Sequence, residues 1–229
     1  KWKKLRLHSK IVLTASAILT FGGTLVILAL EYTNPATLGG MPNELDKWMA
    51  AAFQAVTCRT AGFNTIDLTD MRASSLFFMV LLMGIGASPT STGGGMKTTT
   101  VLVLLVSTWG LLHGKRDTVL FDRRIASETV DKAYNVFTVC LLWMLGAYFL
   151  LLICDGGLHW ADYVLFEVVS AFATVGLGVG ITPDWNDWGK LILVLTMYAG
   201  RIGVLTFVLS FLHSKDDKIR YPSENIMIG

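Results

Sequence analysis

The stretch Gly84-Ile85-Gly86-Ala87-Ser88-Pro89-Thr90-Ser91-Thr92-Gly93-Gly94-Gly95-Met96-Lys97 constrains this chain more than any other. It separates two strongly apolar runs, Ser74 to Met83 and Thr98 to Leu112, each too short to cross a bilayer alone but long enough together. Its glycines and proline oppose a helix, glycine by about 1 kcal/mol and proline by about 3 relative to alanine. Non-helical backbone at membrane depth persists only where protein buries it or where it borders water. The stretch therefore predicts a transmembrane helix broken in its middle and lining an aqueous path. A phosphate-binding loop is the competing motif, and it fails: Met96 precedes Lys97 where that signature demands glycine, and apolar flanks replace a strand.

The rest of the chain fits a membrane setting, since 53% of its residues are hydrophobic and only 16% charged. A net charge of +2 is too small to suggest nucleic acid. The placement of the charges says more. Lys1, Lys3, Lys4, Arg6 and Lys10 make a wholly basic opening, and Lys115, Arg116, Arg123, Arg124 and Lys132 enrich a central connector. Asp155 to Asp187 holds five acidic residues and no basic one. Positive charge gathers on the cytoplasmic side, so both termini and the connector are expected there.

Ile11 to Leu30 is apolar for about the length needed to span ~30 Å of hydrocarbon. After the turn residues Asn34-Pro35 and Gly39 to Asn43 comes Leu45 to Val56, which carries Trp48 and is long enough to enter the bilayer but not to cross it. The broken helix returns the chain to the connector, His113 to Lys132, read as soluble and partly helical. Ala133 to Ile153 spans again, Ala161 to Phe172 is a second short re-entrant segment, and Trp188 to Leu212 runs back with Arg201 near its centre. The expected fold is therefore an all-α membrane protein of two units, 1–132 and 133–229. Each unit is a spanning helix, a half-helix, a loop and a second spanning helix.

The two units also match in letters. Phe53-Gln54-Ala55-Val56-Thr57 resembles Phe166-Glu167-Val168-Val169-Ser170 and, after a one-residue shift, Thr60-Ala61-Gly62-Phe63-Asn64 lines up with Thr174-Val175-Gly176-Leu177-Gly178. The second pentad is nearly the Thr-Val-Gly-Tyr-Gly loop whose carbonyl oxygens replace the hydration shell of potassium. A half-helix before each pentad points its carbonyl end at the cavity, where the macrodipole favours a cation. Ordinary turns would need no such preceding segment.

These residues, with Thr57 to Thr65, Gly86 to Thr98 and Gly200-Arg201-Ile202-Gly203, resemble the Trk/Ktr/HKT superfamily of potassium transporters, in particular the membrane subunit of a bacterial Ktr system. Members fold four such repeats into one pseudo-fourfold pore, and this chain resembles the third and fourth. The resemblance implies passive potassium conduction through a filter of Thr60, Ala61, Gly62, Phe63, Thr174, Val175, Gly176 and Leu177. It implies a gate formed by Gly86, Ser88, Pro89, Thr90, Ser91, Thr92, Gly93, Gly94, Gly95 and Lys97, and a positive barrier at Arg201. It further implies a homodimer in the bacterial cell membrane and a cytosolic ring of RCK subunits. That ring binds the regulating nucleotide, and sodium is expected as an activator. A central arginine costs between about 2.5 and more than 10 kcal/mol in a membrane, so Arg201 must face protein or water; a buried pair with Glu167 is the competing reading. Arg59 is read as a brace behind the first loop. Lys97 is read as an interface anchor or a part of the gate.

A non-conducting assembly subunit is the rival from another class. A sodium-permeable relative, with serine replacing a filter glycine, is the rival within transport, and Gly62 and Gly176 argue against it. Cys58, Cys140 and Cys154 are read as small core residues. His8, His113, His159 and His213 sit near membrane boundaries without metal-ligand spacing, so no metal is expected beyond the permeant cation. Nothing resembles a catalytic triad, and no enzyme is expected.

Overall fold

A computed structural model describes residues 5–89, 91, 93–114 and 117–211. The gate positions Thr90 and Thr92, the basic residues Lys1, Lys3, Lys4, Lys115 and Arg116, and the tail from 212 lie outside the described residues. Among the described residues, eight α-helices carry the fold. They are α1 (Leu7–Glu31), α2 (Glu44–Thr57), α3 (Ala73–Gly84), α4 (Thr98–Leu112), α5 (Ser127–Asp155), α6 (Ala161–Ala173), α7 (Asp187–Ile202) and α8 (Val204–Phe211).

Helices α1 and α5 run 25 and 29 residues and are apolar enough to cross a membrane. Only 17% of the most apolar window of α5 is buried, whereas the core helix of a soluble protein would be mostly covered. Leu142, Phe149 and Ile153 are exposed along its outer side. The centre belongs to the short helices. In α6 every residue from Phe166 to Ala173 is buried, and Phe166, Phe172, Met79, Met83 and Leu151 are among the largest enclosed side chains. Helix α2 packs on α1, α6 on α5 and α7, and α3 meets α6 across the middle.

Each long helix ends on a buried carboxylate. Glu31 accepts hydrogen bonds from Asn34 Nδ2 and Thr37 Oγ1, both at 2.6 Å, from the Arg72 N–H at 3.0 Å, and from the Ser75 hydroxyl. It thereby ties the end of α1 to the start of α3. Asp155 accepts from the His159 N–H at 2.9 Å, from His159 Nδ1 at 2.6 Å, and from the Trp185 indole at 2.8 Å, tying the end of α5 to the approach to α7. Both carboxylates are matched by donors, which is what lets a charge-bearing group be buried there.

Two local expectations need correcting. The connector contains a small antiparallel hairpin, Val119–Leu120 (β1) with Arg123–Arg124 (β2), because Phe121 and Asp122 adopt φ of 49° and 59° and turn the chain in two residues. The run Trp188 to Leu212 is not one helix. It breaks at Gly203, whose φ of 98° suits only glycine, leaving α7 and α8 as separate rods.

Candidate ion pathway

Helix α2 delivers the chain to the first pentad and α6 delivers it to the second, and the local bonding is alike. Ala61 and Gly62 N–H groups donate to the Thr57 carbonyl at 3.1 and 3.3 Å, and the Val175 N–H donates to the Ser170 carbonyl at 2.9 Å. The side chains of those same residues then seize the fourth pentad position. Thr57 Oγ1 donates to the Phe63 carbonyl at 2.7 Å, and Ser170 Oγ to the Leu177 carbonyl at 2.5 Å. The backbone alternates in hand: Thr60 (φ 76°) and Gly62 (76°) are left-handed, as are Thr174 (53°) and Gly176 (91°), with Ala61 and Val175 between them at negative φ. A left-handed threonine costs of order 1–3 kcal/mol, a strain that persists only where the surroundings over-determine it.

The central glycines bring the two pentads together. A Cβ on Gly62 would fall on the Val175 carbonyl oxygen and 3.3 Å from Gly176 Cα, and one on Gly176 would lie 3.8 Å from Gly62 Cα. A side chain at Gly62 is opposed on conformation and on space alike.

The stretch between α3 and α4 folds back against both pentads. The Gly94 N–H donates to Thr174 Oγ1 at 2.8 Å, and a Cβ on Gly93 would meet Thr60 Oγ1 at 2.7 Å. The Gly95 N–H donates to the Gly200 carbonyl at 3.2 Å, so the loop also grips α7. Within the loop, Lys97 Nζ donates to the Gly93 carbonyl at 2.6 Å, Thr98 N–H to the Ala87 carbonyl at 3.3 Å, and Ser91 N–H to the Ser88 carbonyl at 3.1 Å. Pro89 and Gly86 complete the bend. At Gly86 a side chain would fall on the Gly94 carbonyl.

Arg201 stands at the end of α7, one residue after Gly200, and its side chain is exposed. Glu167, weighed as the counter-ion of Arg201, directs its carboxylate to the loop after the second pentad, accepting from the Val179 N–H at 3.0 Å. Arg59 reaches α1, where its Nη2 donates to Ser16 Oγ at 3.2 Å. Cys58 and Cys140 are buried and Cys154 half-buried, all as free thiols.

Several functional contacts escape sequence reasoning. The hydroxyls of Thr57 and Ser170 fall inside the matched pentapeptides, but their hold on Phe63 and Leu177 depends on how the chain turns. His159 is not a plain interfacial residue: it lies between Asp155 and Asp184, with Nε2 at 3.3 Å from the latter. Asp155 first, then Asp184, raise its pKa above 6.5 against the opposing effect of partial burial. One signal was available for the carboxylates, an acidic residue closing each long apolar run.

Two long apolar helices around short buried ones, with left-handed backbone loops and an irregular stretch packed against both, suit an all-helical membrane protein. The chain belongs to the TrkH family, described as cation transport proteins, whose profile matches residues 4–221. It is 42% identical over its whole length to the Ktr system potassium uptake protein B of Bacillus subtilis and 39% identical to that of Vibrio alginolyticus, covering 51% and 50% of them. It is 37% identical to the potassium/sodium uptake protein NtpJ of Enterococcus hirae, covering 51% of it. The chain thus spans about half the length of these curated relatives. The fold is shared with the crystal structure of the potassium transporter TrkH from Vibrio parahaemolyticus, with a TM-score of 0.73 at 22% identity over 87% of this chain and 43% of that one. The family is one of membrane transporters, not of enzymes.

Proposed function

We propose that this chain forms two adjacent quadrants of a potassium pore, each a helix, pore-helix and helix unit (1–132 and 133–229), and that potassium passes through it passively. The observation that carries the reading is the alternating-hand backbone of the paired pentads, packed together at Gly62 and Gly176. Carbonyls of Thr60, Ala61, Gly62 and Phe63, and of Thr174, Val175, Gly176 and Leu177, then substitute for water around the cation. The pentads touch, so the ion axis runs along the side they share, and the rest of the ring comes from outside this chain.

The loop from Gly86 to Lys97, with Thr90 and Thr92, is the gate beneath that filter, and Arg201 is the electrostatic barrier beside it. In the full assembly two membrane subunits pair, and a cytosolic RCK ring that binds the nucleotide moves the gate from the side bearing both termini and the connector. Sodium acts as an activator, and sodium permeation is the second outcome to measure, since the Enterococcus hirae relative is named for both ions.

The test is growth rescue of a potassium-uptake-deficient bacterium by the intact transporter, together with its Gly62→Ser and Gly176→Ser variants. The parent restores growth at low potassium and the serine variants lose discrimination against sodium; an ion preference indifferent to both substitutions refutes the filter assignment.

A further inference from the structure

Glu167 and Gln54 hold corresponding positions in the two short helices, three residues before Ser170 and Thr57. Both are buried, at 7% and 0% exposure, yet they act differently. Gln54 turns its amide to the Met79 sulfur at 3.6 Å, and its Oε1 meets no hydrogen-bond donor among the described residues. Glu167 turns the other way. Its carboxylate takes the N–H of Val179 at 3.0 Å, in the loop that follows the second pentad.

This difference explains a mismatch between the pentads. The second ends in Gly178, the first in Asn64. Gly178 is not among the left-handed glycines, so conformation does not require it. Space does: a Cβ there would lie 2.8 Å from Glu167 Oε1 and 3.3 Å from Oε2. Carboxylate and glycine are one device, present in the second quadrant alone. The carboxylate also borders a cavity of about 520 Å³, shared with Thr174, Gly176, Gly180, Thr182 and Met197.

We propose that Glu167 is the positioning residue of the second pentad. By fixing the backbone at Val179 and filling the space beside Gly178, it sets the direction of the Gly176 to Gly178 carbonyls and with it the preference for potassium over sodium. A carboxylate is suited to this because it only accepts hydrogen bonds, whereas glutamine would set an NH₂ group against the waiting Val179 N–H. The inference rests on the filter reading above.

The test uses the intact transporter in proteoliposomes, with KM and maximal rate measured for potassium and for sodium. Glu167→Gln, which alters the acceptor facing Val179, and Gly178→Ala, whose Cβ would crowd Glu167 Oε1, are each expected to lower the potassium-over-sodium preference about three- to tenfold, the range expected from losing one hydrogen bond of ordinary strength. The change should appear as a raised KM for potassium with little change in maximal rate. The double variant should be no worse than the worse single one, since both act on the same contact. A folded Glu167→Gln protein with the parental preference and KM overturns the proposal. Should that variant fail to fold, Gly178→Ala decides, and an unchanged preference overturns the proposal. Gly176→Ser is the reference: if it abolishes discrimination while both other variants keep it, only the role of Glu167 falls, and if all three are silent the filter reading falls as well.

Discussion

Gly200 allows a sharp test of how the second unit is packed. Helices α6 and α7 cross there backbone to backbone, and a Cβ on Gly200 would fall on the Phe172 carbonyl oxygen, 2.8 Å from its carbon and 3.2 Å from Phe172 Cα. Alanine therefore forces the helices apart, an overpacking cost of about 1–3 kcal/mol. Moving α7 also strains the Gly95 to Gly200 hydrogen bond of 3.2 Å, which is worth about 1 kcal/mol. Against this stands the better helix propensity of alanine, about 1 kcal/mol. The net is a loss of about 2 kcal/mol, which for a chain of this size lowers Tm by roughly 4–8 °C. Thermal unfolding in detergent, followed by tryptophan fluorescence, measures it. Gly146→Ala is the control, because nothing lies within 4 Å of the added carbon, and its Tm should stay or rise. A Gly200→Ala protein melting at or above the parent, with the control behaving as stated, refutes the close crossing.

Two further outcomes follow from the hydrogen bonds. Ser170→Ala strips the buried Leu177 carbonyl of its donor and should destabilise by about 1–3 kcal/mol in the same assay; Thr57→Ala does this at exposed Phe63 and should cost only about 0.5–1.5 kcal/mol, and parental stability after Ser170→Ala contradicts the assigned bond. His159 has a folded pKa raised above 6.5, so its stabilisation is fully present below that value and is lost as pH rises through the folded value. The Tm gap between the parent and His159→Gln should therefore narrow from pH 5 to pH 9 on this linkage, whereas a gap constant with pH would remove the Asp155–His159–Asp184 bridge.

Much of the fold is legible because membranes simplify the problem. The long runs of α1 and α5 and the Gly–Pro stretch between α3 and α4 follow from length, hydrophobicity and the cost of unpaired backbone. The break at Gly203 is not legible, since one glycine between Ile202 and Val204 is usually tolerated in an apolar helix and only its φ marks the bend. The hairpin at Phe121-Asp122 hides for a related reason: neither residue advertises a left-handed turn. In the pathway, repetition exposes the pentads, but the match of Gln54 with Glu167 conceals that the two side chains turn to different partners. Letters align positions; hydrogen-bond direction depends on neighbours that lie far away in sequence.

The interruption at Gly203 has a mechanical consequence. On its far side Phe207 sits edge-on against both Trp143 of α5, at 5.4 Å, and Tyr198 of α7, at 5.9 Å between ring centroids. One ring thereby pins the start of α8 to both α5 and α7, so the break redirects the chain while the two rods stay joined through the Phe207 side chain.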